Sequence, residues 1–495
     1  MSMINVENLT FAYDGSYDNI FENVCFRIDT DWKLGFTGRN GRGKTTFLKL
    51  LMGGLEYRGN ISSSVNFEYF PFEIEDDNEI TIDICEKICP TFEHWELMRE
   101  LNLLNVEADV LYRPFNTLSN GERTKVMLAV LFLKENSFLL IDEPTNHLDA
   151  DGRITVGKYL NRKKGFILVS HDRVFLDSCI DHILSINRAD IVIEKGNYSS
   201  WEVNKENRDN FEAIQNEKLK REIKGLEKAA KSAAEHSNCI EREKIGFDPK
   251  NTEKSISRRS YLGAKSKKLM SRSKAIETRI EADIAEKSNL LKNIEYKLSL
   301  KIPSLAYHSK TLMYAENLTI NYGSRNVCEN VSFSVNSGER ILIKGRNGSG
   351  KSSILKLICG YDIPHSGNIS LGSRLVISYV SQDFSHLSGT LSEFASSAGI
   401  DENLFRAILC KLGFSAEQLS KRIENYSGGQ KKKVLIASSL STPAHLYVWD
   451  EPLNFIDINS RIQIEELIDE FKPTMIFVEH DIAFQRKIAT SVIEI

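Results

Sequence analysis

At 495 residues, 41% hydrophobic and 27% charged, the chain is long enough for more than one domain and ordinary in composition for a globular protein. No apolar run approaches the ~18 residues of a membrane span, and Met1 to Leu9 lacks the hydrophobic core of a signal peptide. The net charge is −4 and the eight cysteines are scattered, Cys85 and Cys89 being the only close pair, which points to reduced thiols and a cytoplasmic protein.

Residues 1–200 alternate strand-like and helix-like runs, the pattern of an α/β domain. Gly38-Arg39-Asn40-Gly41-Arg42-Gly43-Lys44-Thr45 follows the apolar run Leu34 to Thr37 and precedes a helix-like run from Thr46 to Leu51. A glycine-rich loop between strand and helix turns its backbone N–H groups toward phosphate oxygens, and the helix N-terminus adds its positive end. In such a P-loop Lys44 reaches the β/γ-phosphates and Thr45 holds Mg²⁺. Leu118-Ser119-Asn120-Gly121-Glu122 fits a helix cap whose N–H groups could also meet phosphate. Phe138 to Ile141 reads as a buried strand ending in Asp142-Glu143. Asp142 is placed for the Mg²⁺ shell and Glu143 for a general base. His171, after the apolar run Phe166 to Val169, is placed as a γ-phosphate sensor.

The stretch from about Lys205 to Lys297 resembles neither flank. Ser199 with Glu202 fits a capping box, and Phe211, Ile214, Ile223, Leu226, Ala230, Ala233 and Ile240 recur at helical spacing. Gly246 to Pro249 breaks the pattern. A return arm carries Leu269, Ile276, Ile280, Ile284, Leu291, Ile294 and Leu298. The reading is an antiparallel helical hairpin of two arms, each about 60 Å long. Arg242 to Arg279 carries a net +8, so the rest of the chain sums to −12. A basic tip on an acidic chain suggests a polyanion such as nucleic acid, although a solvated coiled coil would carry the same charge run.

Residues 312–495 repeat the first half. Gly345-Arg346-Asn347-Gly348-Ser349-Gly350-Lys351-Ser352 is a second P-loop, Ser427-Gly428-Gly429-Gln430 a second cap, Asp450-Glu451 a second acidic strand end and His480 a second histidine. Lys44 to Asp142 is 98 residues and Lys351 to Asp450 is 99, while Lys44 to Ser119 is 75 and Lys351 to Ser427 is 76. Spacing kept this closely marks an internal duplication.

These motifs resemble the ATP-binding cassette superfamily. The resemblance implies α/β fold class: two P-loop cassette domains in tandem (1–200 and 301–495) joined by a long antiparallel α-helical hairpin (201–300, basic tip about 242–262). Tyr13 and Tyr322 take the place of the aromatic residue on adenine. The implied ATP contacts continue with Gly38, Asn40, Gly41, Gly43, Lys44, Thr45, Thr46, Ser119 and Gly121. In the second half they are Gly345, Asn347, Gly348, Gly350, Lys351, Ser352, Ser353, Ser427 and Gly429. Thr45, Asp142, Ser352, Gln382 and Asp450 would serve Mg²⁺, and Glu143, Glu451, His171 and His480 catalysis.

Two cassettes, no membrane segment and a charged helical linker resemble the ABC-F family of ribosome-binding ATPases, as does Pro144-Thr145-Asn146-His147-Leu148-Asp149. The linker opening at Trp201, the short arm and the end at Ile495 resemble its Lsa-type antibiotic-resistance members. What this implies is a monomer whose cassettes pair within the chain. It would bind the 70S ribosome at the E site, contact 23S rRNA and P-site tRNA but neither DNA nor membrane, and dislodge lincosamides, pleuromutilins and streptogramin A. Lys244, Phe247, Arg258, Arg259, Tyr261, Lys265, Lys267 and Lys268 are the tip residues expected to matter. A housekeeping translation factor, the motor of a drug exporter and a DNA-associated coiled-coil ATPase are the alternatives, the last disfavoured because the linker joins two complete cassettes. Phe72 stands where the Gln of the first Q-loop belongs, whereas the second half keeps Gln382. Asn120 replaces the first glycine of the first signature. Leu453, Phe455 and Glu479 replace further motif residues in the second half. The two ATP sites are therefore expected to be unequal.

Overall fold

The computed structural model describes residues 2–13, 19–38, 43–187, 190–245, 279, 305–322 and 325–495. They divide into two units: residues 1–201 with 298–495, and residues 202–297.

In the first cassette β1 (Met3–Phe11), β2 (Phe21–Asp29) and β4 (Arg58–Ser62) form an antiparallel sheet ordered β2-β1-β4. The second sheet contains β3 (Lys33–Thr37), β5 (Asn66–Phe70), β6 (Ser137–Asp142), β7 (Phe166–Val169), β8 (His182–Asn187) and β9 (Asp190–Lys195). Its order is β5-β6-β7-β3-β8-β9, parallel except for the β8–β9 hairpin. The helices are α1 (Lys44–Leu51), α2 (Thr81–Ile88), α3 (His94–Leu103), α4 (Asn120–Leu131), α5 (Ala150–Asn161) and α6 (Arg173–Cys179). β6 and β7 read as unbroken apolar runs because both faces of a parallel sheet are covered. One face packs on α1 around Phe47 and Phe138; the other packs on α4 and α5 around Leu128, Leu139 and Tyr159.

The second cassette repeats this plan. β10 (Thr311–Tyr322), β11 (Arg325–Asn336) and β13 (His365–Leu371) form the antiparallel sheet. β12 (Arg340–Lys344), β14 (Ile377–Val380), β15 (Leu446–Asp450), β16 (Met475–Val478) and β17 (Ser491–Glu494) form a parallel sheet ordered β14-β15-β16-β12-β17. Its helices follow α7, described below: α8 (Lys351–Ile358), α9 (Leu391–Ala398), α10 (Glu402–Lys411), α11 (Ala416–Ser420), α12 (Gly428–Ser441), α13 (Ile458–Phe471) and α14 (Ile482–Ile488). The parallel order is the one in which ligands meet the carboxyl ends of the strands, and both P-loops leave such an end.

The cassettes meet at a buried ion pair. Arg173 on α6 binds Glu465 on α13, which is 1% exposed and also takes Lys487 Nζ at 3.3 Å. Each partner comes from a different half of the duplication, so the pair joins the cassettes to each other.

Between the cassettes in sequence runs α7 (Tyr198–Ile245), 48 residues of continuous helix. At 1.5 Å per residue it is about 70 Å long. Its start differs from the sequence expectation. Ser199 is not the cap: Asn197 Oδ1 accepts from Ser200 N at 3.1 Å, while Ser199 N donates to Asp177 Oδ1 at 2.8 Å. Gly196 at φ 135° sets the turn, and Asp177 takes the hydroxyl that would have capped the helix two residues later. Tyr198 and Trp201 anchor this first turn in the cassette core, whereas Phe211 and Ile214 are exposed. The elbow and the return arm of the expected hairpin lie outside the described residues, apart from Arg279, which is helical.

Candidate ATP sites

Both P-loops end in a left-handed glycine: Gly43 at φ 93° and Gly350 at φ 87° cap α1 and α8. Few side chains tolerate this φ, and a Cβ on Gly43 would lie 2.5 Å from Ile20 Cγ2. The turn aims the free N–H groups of the helix N-terminus into the loop, where a phosphate is favoured. Asn40 and Gly41 lie outside the described residues, while Asn347 and Gly348 are exposed in the second loop. Lys44 Nζ donates to Gly38 O at 2.7 Å; Lys351 Nζ donates to Gly345 O at 2.9 Å and Arg346 O at 2.8 Å. Burial pushes both ammonium groups down from the usual lysine range.

Thr45 Oγ1 donates to Asp142 Oδ2 at 3.2 Å, and Ser352 Oγ to Asp450 Oδ1 at 3.0 Å. Burial raises both carboxyls, Asp450 to about 6. A hydroxyl and a carboxylate drawn together at the foot of a phosphate loop are the hard oxygen donors that suit Mg²⁺. The buried Tyr379 hydroxyl has no hydrogen-bond partner among the described residues and feels the Asp450 charge, which suits a water of the ion's shell. In the first site Tyr69 instead donates to Asp142 at 3.0 Å. Tyr69 and Tyr379 carry no motif and were missed from sequence; only their equivalent places on β5 and β14 mark them.

Tyr13 and Tyr322 are each 48% exposed, and their hydroxyls sit 2.9 Å from Thr46 Oγ1 and 3.0 Å from Ser353 Oγ. An exposed ring tethered beside the phosphate helix is suited to a nucleobase. Ser119 and Ser427 cap α4 and α12 through reciprocal boxes with Glu122 and Gln430. Gly121 and Gly429 lie in the first turns of those helices.

The acidic strand ends differ in their surroundings. Glu143 and Glu451 both turn left-handed, at φ 51° and 47°, unusual for a residue with a side chain. His171 Nε2 lies 3.3 Å from Glu143 Oε1, and His480 Nε2 lies 3.5 Å from Glu451 Oε1. Glu143 Oε1 is nonetheless buried without a hydrogen-bond partner among the described residues. Burial, helped by Asp142, pushes this carboxyl up to about 8. Burial also opposes ionisation of Glu451, but His480, Gln382 and Asn454 outweigh it and hold the group at about 2. Asn454 Nδ2 donates to Glu451 Oε2 at 2.7 Å. Phe72, in the place of Gln382, packs on the apolar core and offers no such bond. His171 is held neutral: burial lowers it well below the usual range, and Lys44 and Arg461 push it the same way.

Each site also feels the opposite cassette. Asp457 acts on Lys44, and Asp149 acts on Lys351. Arg461 acts on Glu143 and His171. Asp149 and Asp457 each follow the acidic pair's Glu by six residues, a repeat the sequence carried and to which no role was given. Of the expected linker residues, Lys244 lies in the last turn of α7. Phe247, Arg258, Arg259, Tyr261, Lys265, Lys267 and Lys268 lie outside the described residues.

No helix among the described residues is long and apolar enough to cross a membrane. The chain is similar over its whole length to ABC transporter F family member 2 of Arabidopsis thaliana, at 26% identity and covering 76% of that protein. The ribosome protection protein VmlR of Bacillus subtilis is 26% identical over 97% of this chain and 84% of its own. The energy-dependent translational throttle protein EttA of Haemophilus influenzae is 27% identical, with 96% and 89% covered. The archaeal ribosome recycling factor aABCE1, solved with the stalk protein aP1, shares the fold. Its TM-score is 0.64 at 19% identity, with 98% of this chain and 87% of that one covered. The ABC transporter family matches residues 21–146 and again 328–454, together just over half of the chain. With two P-loops, two acidic strand ends and two matches, the chain belongs to the ABC transporter family and carries its ATP-binding, ATP-hydrolysing domain twice.

Proposed function

We propose that the chain is a ribosome-bound ABC-F ATPase of the cytoplasm. It enters the E site and protects the peptidyl-transferase centre from lincosamides, pleuromutilins and streptogramin A by means of its linker. The observation that carries this is α7, 48 residues of helix rooted by Tyr198 and Trp201 in a paired-cassette ATPase. Its continuation is the basic stretch of net +8. The name of VmlR and its cover of 97% of the chain support the protective role. Domains follow as cassettes at 1–200 and 301–495 around a linker at 201–300, in a monomer.

In this reading Thr45 and Asp142, and Ser352, Asp450 and Gln382, hold Mg²⁺, which when bound neutralises charge on the β/γ-phosphates. Lys44 and Lys351 bind the phosphates. Tyr13 and Tyr322 face adenine. Glu143 and Glu451 take the proton of the attacking water, oriented by His171 and His480. Because Asn454 bonds Glu451 and His480 and Gln382 help hold its carboxyl low, while burial pushes Glu143 up, Glu451→Gln should remove most of the turnover and Glu143→Gln the smaller share. Equal losses, measured as phosphate release, would make Phe72 silent.

RNA is the partner the tip charge favours. Replacing Lys265, Lys267 and Lys268 with glutamine should lower ribosome affinity. Its log–log salt dependence should flatten by about one unit for each phosphate the tip no longer neutralises. An unchanged salt series would leave the charge a solubility feature. Phe247 and Tyr261 have the chemistry to stack on an unpaired base, worth about 1–3 kcal/mol. Phe247→Ala/Tyr261→Ala should keep ATPase and ribosome binding but reduce drug protection. Should protection survive, other residues of the loop or displacement of the P-site tRNA must supply it.

A housekeeping translation factor is the second reading, favoured by the EttA likeness over 96% of the chain. Growth of a susceptible Gram-positive host on lincomycin and tiamulin, with and without this chain, separates the two. Protection by the chain supports resistance; equal inhibition supports the housekeeping role.

A further inference from the structure

We propose that Lys432 is a positioning residue of the second ATP site, tying helix α12 to Gln382 and through it to Glu451. Lys432 is 1% exposed, five residues into α12. A dehydrated ammonium is costly unless its donors are met. Here Nζ donates to Ser381 O at 2.8 Å and Gln382 O at 3.3 Å, and Glu479, Asp450, Glu451 and Asp383 supply a compensating negative field. Gln382 in turn helps hold the Glu451 carboxyl low. A continuous polar path thus runs from the helix capped by Ser427 to the carboxylate at the strand end.

Among the described residues the first cassette has no such path. Aligning the caps Ser119 and Ser427 puts Thr124 opposite Lys432. The Thr124 hydroxyl bonds back to Asn120 O at 2.9 Å, inside its own helix. Phe72 stands opposite Gln382. Ser170 stands opposite Glu479, its Oγ 3.2 Å from Thr145 Oγ1 and accepting from Asp172 N at 3.2 Å. In the second cassette Leu453 replaces Thr145, and Glu479 accepts instead from Leu453 N at 3.1 Å and His480 N at 2.7 Å. The four departures therefore form one set. A buried cation and a buried carboxylate enter together, and the Gln that the cation holds enters with them. Where α12 sits then fixes the Q-loop and Glu451, whereas Glu143 is free of the position of α4.

This rests on Glu451 being the base of the second site, so the experiment separates the two claims. In full-length chain carrying Glu143→Gln, Glu451→Gln must abolish the remaining turnover; if it does not, the assignment of the base fails. In the same background Lys432→Thr/Glu479→Ser installs the residues of the first cassette at both positions, leaving no unpaired buried charge. The expected result is a kcat lower by about tenfold, since small misplacement of a reacting group is costly, with KM for ATP changed by less than about twofold. Amide hydrogen exchange should accelerate across residues 378–386 and stay unchanged in β15 and β16. A kcat within about twofold of the background, or exchange that is unchanged at 378–386 or faster throughout the cassette, would overturn the proposal.

Discussion

Changing both Glu143 and Glu451 to glutamine should lower ATP turnover by about 100-fold or more, the usual range for removing a general base, while ATP still binds. Glutamine keeps the size of the side chain and can still face His171 at 3.3 Å and His480 at 3.5 Å, but it cannot take a proton from water. The P-loop lysines are untouched, as are the pairs Thr45–Asp142 and Ser352–Asp450. Nucleotide affinity measured by a fluorescent ATP analogue should therefore stay near the parent value. Turnover at the parent rate would remove both glutamates from the chemistry and leave them as residues of a strained turn.

Arg461→Ala should destabilise the second cassette by about 3–5 kcal/mol, the cost of leaving a buried charge without its partner. Arg461 is 8% exposed and holds three groups. Its Nη1 donates to Asp481 Oδ2 at 2.8 Å, its Nε to Ile456 O at 2.9 Å and its Nη2 to Leu453 O at 3.0 Å. Asp481 is fully buried and also caps α14 through Phe484 N at 3.0 Å. Burial opposes its charge, but Arg461 and Arg173 outweigh burial and keep its carboxyl below the usual range. A depressed carboxyl contributes stability that is present above its unfolded pKa of about 4 and lost as pH falls through the folded value. The variant's deficit should thus be full at pH 7 and shrink in acid. Urea unfolding of the full chain, with the second-cassette transition followed by Trp449 fluorescence, measures it. A loss below about 1 kcal/mol, the scale of an exposed pair, would show that water reaches Asp481.

The elements that organise the cassettes were legible because each is local and occurs twice. A P-loop needs its glycines at fixed offsets, a cap needs Ser119 or Ser427 three residues before Glu122 or Gln430, and a buried parallel strand must read as an apolar run. The inequality at Phe72 was legible for the same reason, since its counterpart Gln382 is there to compare. Residues that act across space were not legible. Tyr69 is an ordinary strand residue until β5 pairs with β6 and brings its hydroxyl to Asp142. Lys432 is one of three consecutive lysines, and only the packing of α12 shows that it and Lys433 are buried while Lys431 is not. The helix start misread at Ser199 is of this kind too. Local pattern offered a capping box, and Asp177, 22 residues earlier, took the serine.

Sedimentation of Glu143→Gln/Glu451→Gln with 70S ribosomes through a sucrose cushion tests the ribosome-directed reading most directly. With hydrolysis blocked and the cassettes closed on ATP, the chain should pellet with ribosomes in ATP and remain in the supernatant in ADP. Pelleting equal in the two nucleotides, or absent from both, would contradict an ATPase whose closure holds it on the ribosome.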